Sequence, residues 1–375
     1  MTPAKALTVC ALGAVLALTA CSSKEGSRSA AGVRIVHVSL TDAGCDPATM
    51  EQSAGPTTFV VTNEGADAVT EFEVVQGDRI VGEVENVAAG LERSFSLNLD
   101  PGSYETRCPG GTTSPTGMLT VTGTAPQAGG SGSTSADEAV AAYRTYLETR
   151  ADQLVARTRL FTQAVLAGDP EKARQLFAWA REPYEAIEPV AETFGDLDPE
   201  IDARVNDVPA GTWTGFHRLE KALWADRSLE GMDPVARQLR ADVVKLHALV
   251  RTVELDPAQI ANGATELLGE VSKSKITGEE DRYSHTDLWD FRSNVDGARA
   301  AFAAVRPLLA QRDPALAALI TQRFAAVDRA LDPYRVGPGF VPYTALTTFD
   351  TRSLSSAIDA LAEPLSQVAG TVVGA

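Results

Sequence analysis

Close to residue 130 the hydrophobic period of the chain changes from two to that of a helix, and this limits it to folds with two unlike halves. The change falls at residues 123–135, which include Gly129-Gly130-Ser131-Gly132-Ser133-Thr134-Ser135, a composition that behaves as flexible coil and reads as a domain boundary. Before it lie short alternating runs at 34–40, 58–62, 72–75, 79–84, 94–99 and 118–121, rich in Val, Phe and Thr. Turn signals such as Gly55-Pro56, Asn63-Glu64-Gly65 and Asp100-Pro101-Gly102 separate them. Strands this short and this evenly spaced predict a small all-β antiparallel sandwich over 34–122. After the boundary the helical period holds to the end, so an all-α helical bundle is predicted over 136–375. Helix starts are signalled at Ser135-Ala136-Asp137-Glu138, Asp169-Pro170, Asp233-Pro234, Asp256-Pro257 and Asp313-Pro314, where a capping residue precedes Pro or first-turn acids. Pro183 and Pro189 are expected to kink or divide one helix.

The N-terminus reads as an address. Lys5 is followed by an apolar run over 6–20, too short to span a bilayer, which ends in Leu18-Thr19-Ala20-Cys21. This ending resembles the bacterial lipobox. The likeness implies a signal peptide over 1–20, acylation of Cys21, a tether over 21–33, and a protein exported and lipid-anchored to the outer face of the cell membrane. Cys45 and Cys108 then remain as an even pair in an oxidising compartment, which reads first as a disulfide. The formal net charge of -17 argues against nucleic acid, whose phosphates are held by clustered Lys and Arg. It is compatible with cations drawn to an acidic cleft, and equally with acidity that serves solubility alone.

The segment most informative about chemistry is Thr214-Gly215-Phe216-His217-Arg218-Leu219-Glu220-Lys221. Three residues apart on a helix, the His217 imidazole and the Glu220 carboxylate share a face and can reach one ion, as in metal sites embedded in bundles. A second dense patch, 277–291, mixes Glu279, Glu280, Asp281, His285, Asp287 and Asp290 with Tyr283, Trp289 and Phe291. A third, around Tyr184-Glu185 and Glu188, is placed to face the same interior. Imidazole and carboxylate suit iron, and also zinc and manganese. The His-Glu-x-x-His string of a zinc peptidase is missing, which disfavours a metal-dependent peptidase.

On Thr214–Leu223, Gly231-Met232-Asp233 and the run 278–291, residues 136–375 resemble the imelysin-like (peptidase M75) domain of EfeO-type iron-uptake lipoproteins. The resemblance implies a metal site at His217 and Glu220, completed by Asp233 and by an acid of the later patch, taken as Glu280. Residues 34–122 resemble the cupredoxin-like module of the same family through Gly44-Cys45-Asp46-Pro47, Ala68–Glu73 and Pro101–Cys108. A blue-copper centre needs two His and a Cys. Here His37 stands alone in that half and no His follows Cys108 within it, so such a centre is not expected. The family implies instead a copper or iron site at Cys45, Glu71 and Cys108, which competes with the disulfide; the sequence leaves the two open. The family further implies a non-enzymatic role: capture of iron, as Fe2+ or Fe3+ with zinc as a substitute, and delivery to a membrane iron permease, with a Dyp-type haem peroxidase in the same system. A solute- or polysaccharide-binding lipoprotein with a structural metal is the other alternative, with Trp213, Trp224 and Trp289 as candidate groove residues.

Overall fold

The structure, a computed structural model, describes residues 33–77, 79–124, 131–195 and 197–373; the N-terminal apolar run and Cys21 lie outside them. Nine strands build the sandwich: β1 (Arg34–Thr41), β2 (Gly44–Asp46), β3 (Thr49–Ser53), β4 (Gly55–Asn63), β5 (Phe72–Gln76), β6 (Arg79–Val84), β7 (Glu92–Leu99), β8 (Gly102–Arg107) and β9 (Thr116–Thr122). One sheet has the order β2-β1-β4-β7 and the other β3-β9-β8-β5-β6. Alternation in β4 turns Thr57, Phe59 and Val61 inward. Phe59 meets Phe95 of its own sheet at 5.0 Å and Phe72 of the facing sheet at 5.7 Å, so three rings form the centre of this core. The sheets are mixed rather than wholly antiparallel, because β1 pairs with β4, and β3 with β9, in parallel. The cause is the path of the chain, which crosses to the second sheet at β3 before β4 returns to lie beside β1.

Cys45 in β2 and Cys108 just past β8 are joined in a disulfide that ties the two sheets together. Each sulfur is bonded to the other, so neither is a thiolate. The expectation of Cys45 and Cys108 as metal ligands beside Glu71 is corrected on that ground.

The helical half comprises α1 (Ser131–Leu166), α2 (Pro170–Glu185), α3 (Leu197–Asp202), α4 (Gly215–Lys221), α5 (Asp233–Val250), α6 (Pro257–Lys273), α7 (Asp287–Arg312), α8 (Pro314–Leu331), α9 (Thr348–Leu365) and α10 (Gln367–Val372), with a small hairpin of β10 (Arg335–Val336) and β11 (Gly339–Phe340). Asp169, Asp256 and Asp313 cap α2, α6 and α8 by accepting from backbone N–H groups of Lys172, Ala258 and Leu316, each ahead of a Pro. α1 begins at Ser131, inside the stretch that reads as linker. Pro183 is accommodated in the last turn of α2, and the division comes after Glu185, with Pro189 in a 3-10 turn over Glu188–Phe194. None of the described helices is long and apolar enough to cross a membrane.

The sandwich rests on α6 and the loop before it. Arg79 donates to the Glu254 carbonyl (3.0 Å), Gln259 to the Val81 carbonyl (2.9 Å), Asn262 to the Ser96 carbonyl (2.8 Å) and Lys273 to the Asn86 carbonyl (3.1 Å), while the Glu85 N–H donates to Glu266 Oε1 (3.0 Å).

Candidate metal centre

The placement of His217 begins two residues earlier. Gly215 has φ +85°, and a Cβ there would sit 2.2 Å from the Ile201 carbonyl oxygen, so only glycine lets the start of α4 lie on the end of α3. The Trp213 indole N–H donates to the Ala203 carbonyl (2.6 Å) and the Thr214 hydroxyl to the Glu200 carbonyl (2.8 Å), closing the same seam. Asp202, the last residue of α3, is thereby brought against His217. On the other side of the ring, Nδ1 donates to Glu220 Oε2 (3.1 Å), as the three-residue spacing predicts. Glu220 Oε1 accepts from the backbone N–H groups of Tyr283 (2.8 Å) and Ser284 (2.7 Å), which anchors the loop that delivers Glu280 and Asp281.

His217 Nε2 then lies 3.6 Å from Asp202 Oδ1 and 3.5 Å from Glu280 Oε1, and Nδ1 lies 4.0 Å from Asp281 Oδ1. Two overlapping groups result, Asp202–His217–Glu280 and His217–Glu220–Asp281, each with ligand atoms within 4.8 Å of one another. His217, Glu220, Glu280 and Asp281 are buried, Asp202 nearly so. Two buried cations share the cluster. The Arg181 guanidinium binds Asp202 and Glu185, and approaches Asp290 (3.2 Å), Glu280 (3.4 Å) and Asp281 (3.6 Å). Lys275 binds Glu185 (3.2 Å) and Glu188 (2.5 Å).

Polar atoms are left without partners in this arrangement. His217 Nε2, Asp281 Oδ1, Asp287 Oδ2 and Asp290 Oδ1 are buried without a hydrogen-bond partner, whereas buried polar atoms are as a rule paired. For Asp281, burial and the Glu220 charge outweigh Arg181 and raise its carboxyl to about 8. For His217, burial and Arg181 disfavour the charged ring, yet the Asp202 charge, the hydrogen bond to Glu220 and the nearby Glu280 carboxylate raise it to about 10. Burial disfavours the Glu280 carboxylate, but Lys275, His217 and Arg204 hold it well below the ordinary range. A pinned imidazole whose outer nitrogen has no hydrogen-bond partner, facing two carboxylates among unpaired oxygens, fits a hard or borderline metal cation that takes the place of the ring's proton.

Of the residues singled out from the sequence, His217, Glu220 and Glu280 come together here. Asp233 does not: it heads α5 with its side chain 59% exposed, pairs with Arg237 at 3.6 Å, and stands outside both groups. Its place is corrected to Asp202, which sequence reasoning missed. The available signal was the acidic spacing Asp198–Asp202 just ahead of the His217 segment. His285, with φ 59°, is used in backbone bonds, its N–H to Asp281 and its carbonyl from Tyr343. The tryptophans are taken up in packing: besides the Trp213 bond, Trp224 sets its edge against Phe177 and Trp289 against Phe340. In the sandwich, Glu71 keeps company with Glu73 and Glu83, ligand atoms within 4.8 Å. Burial, with Glu85 and Glu73 adding repulsion, pushes Glu71 up to about 9.

A cavity of about 260 Å³ lies between the two halves, walled by Glu85 from the sandwich, Glu266 and Glu270 of α6, and Asp202, Arg204 and Glu280 from the margin of the cluster. Burial raises Glu266 and Glu270 to about 7.

Comparison with known proteins agrees with both halves. Residues 139–368 match the imelysin family (peptidase M75) and residues 8–121 the cupredoxin-like domain. The iron uptake system component EfeO of Escherichia coli K12 is 43% identical over 363 residues, 95% of this chain and 96% of that protein, and its namesake in Shigella flexneri gives the same figures. In fold, the crystal structure of an iron-regulated protein A precursor from Parabacteroides distasonis superposes with a TM-score of 0.52 at 17% identity, covering 63% of this chain and 95% of that one.

Proposed function

The chain belongs to the EfeO family of iron-uptake components, and from that membership we propose that it is a non-enzymatic, extracytoplasmic carrier that takes up iron among α3, α4 and the loop before α7 and gives it to a membrane iron permease. The observation that carries this reading is His217 Nε2: buried, without a hydrogen-bond partner, and facing Asp202 and Glu280 at 3.6 and 3.5 Å. His217, Asp202 and Glu280 are the proposed ligands. Glu220 sets the ring by holding Nδ1, and Asp281 adds charge from beside it. One imidazole and carboxylates suit Fe2+ or Fe3+, and zinc can take the same donors. Copper has lost its thiolates in the sandwich to the disulfide. Anchorage through acylated Cys21, and a Dyp-type haem peroxidase as a second partner, belong to the same reading.

Carrier is favoured over peptidase by the state of Glu220. A general base needs a free oxygen toward a metal-bound water, but Glu220 Oε1 accepts two backbone N–H groups and Oε2 is taken by His217. The polysaccharide alternative is disfavoured by the packing of Trp213, Trp224 and Trp289 against their own neighbours.

The test is anaerobic calorimetry with ferrous iron on the full chain. The expected result is binding at micromolar or tighter affinity that His217→Ala reduces by roughly a hundredfold or more, at least as much as loss of an outer-shell partner costs, with an unchanged circular dichroism spectrum. Equal affinity in wild type and variant would remove the site assignment.

A further inference from the structure

The proposed ligands are buried, so an ion needs a way in. Asp202 and Glu280 are the two that also form part of the cavity wall between the domains. At about 260 Å³ the cavity has room for several waters, hence for a cation that still carries part of its hydration shell. Its remaining wall is strongly acidic and comes from both halves, with Glu85 on the sandwich and Glu266 and Glu270 on α6.

Among the described residues lining this space, Arg204 is the one that is basic. Its Nη1 donates to Glu280 Oε2 (3.1 Å), the oxygen other than the one that faces His217. Its Nε and backbone N–H both reach Asp207 Oδ2, at 3.3 and 2.9 Å. Arg181 makes a useful contrast. Arg181 is fully enclosed and held by carboxylates on α2, α3, α7 and the loop before α7. Arg204 is 30% exposed, with one carboxylate partner inside and one, Asp207, that is 47% exposed. The first is fixed; the second can exchange its inner partner for water while keeping the outer one.

We infer that the interdomain cavity is the loading passage of the metal site and that Arg204 is its gate, covering Glu280 Oε2 until an incoming cation displaces the guanidinium toward Asp207 and solvent. The inference rests on the carrier reading and adds to it the route, a positioning residue and a role for the sandwich, whose Glu85 helps to draw the cation in. Electrostatic focusing of this kind acts on the association rate more than on the affinity.

Stopped-flow measurement of ferrous iron binding and release, on the anaerobic full chain, tests it. In Arg204→Ala both rate constants should rise, association by roughly tenfold and dissociation by at least roughly threefold, because removing a gate lowers the barrier in both directions. If Arg204 acted only as a nearby positive charge, its loss would speed association and slow dissociation, so an unchanged or slower release overturns the gate. In Glu85→Gln/Glu270→Gln association should fall by about fivefold and lose most of its salt dependence, with release unchanged. Association as fast as wild type, with the same salt dependence, overturns the passage. This double variant keeps the test open should Arg204→Ala fail to fold. The two readings fail separately: iron binding that survives His217→Ala sinks the carrier site, whereas binding lost in His217→Ala with wild-type rates in Arg204→Ala sinks only the gate.

Discussion

Each half of the molecule encloses a group of carboxylates, and the two groups are handled in opposite ways. In the helical half, Asp202, Glu220, Glu280 and Asp281 surround an imidazole, and Arg181 and Lys275 are buried beside them. In the sandwich, Glu71, Glu73 and Glu83 cluster with Arg107 as a distant neighbour, 3.8 Å from Glu73, and burial raises Glu71 to about 9. In the first group Lys275, His217 and Arg204 keep Glu280 ionised, although Asp281 is raised to about 8; in the second the Glu71 charge is suppressed by a proton. Desolvation of a carboxylate has to be offset by one or the other. Only the first arrangement also presents an unpaired imidazole nitrogen, and that nitrogen is what separates a candidate metal site from acids that are simply enclosed.

The contrast can be broken most forcefully at Arg181. Arg181→Ala should cost roughly 5 kcal/mol in urea unfolding, because it strands buried carboxylates without their counter-charge; a loss under about 1 kcal/mol would mean that these acids are neutral in the native protein. Next comes the disulfide. Cys45→Ala/Cys108→Ala should lower stability by about 4 kcal/mol on the chain-entropy account for a loop of this length, and leave ferrous iron affinity within about twofold if the cysteines bind no metal. A marked fall in affinity would restore the sandwich to the metal chemistry.

Smaller is the effect of pH. Glu71 is raised to about 9 by burial, Glu85 and Glu73, and Glu266 to about 7 by burial and Glu85 against the pull of Lys273 and Arg93. Both retain in the folded state a proton that the unfolded chain gives up near 4.5. Their contribution to stability is therefore fully present below that value and is lost as the pH rises through about 7 and then 9. The melting temperature of the metal-free protein should decline between those limits, and Glu71→Gln/Glu266→Gln should flatten the profile. The smallest effect is expected at Asp233, where Asp233→Asn should change stability by less than about 0.5 kcal/mol, as for an exposed surface position, and leave iron affinity unaltered.

The sequence disclosed the parts of this structure that depend on near neighbours. The change of period separated the two halves, and Asp-Pro pairs marked the starts of α2, α6 and α8, because a cap and its first turn lie within four residues. His217 and Glu220 were legible for the same reason, as a pair one helical turn apart. Asp202 and Arg181 were not. They arrive through tertiary packing, α3 against α4 and α2 against α7, and besides the Asp198–Asp202 spacing the local clue was a glycine, Gly215, whose meaning depends on the Ile201 carbonyl it leaves room for. Asp233 misled because it was carried over from the family resemblance at Gly231-Met232-Asp233, and a motif match says nothing about which way α5 turns its first residue. The mixed pairing of the sheets was likewise out of reach, since parallel and antiparallel partners use the same alternation.

The bonds that seat the sandwich on α6 have a consequence for how the two halves can change over time. On the sandwich side, four of the five are made by main-chain atoms, at Val81, Glu85, Asn86 and Ser96. A peptide group is the same whichever side chain it bears, so these four bonds do not depend on the side chain at their sandwich positions. Apart from Arg79, the side chains that make these bonds all belong to α6, in Gln259, Asn262, Glu266 and Lys273, and most of the heritable constraint on the five bonds falls on that helix.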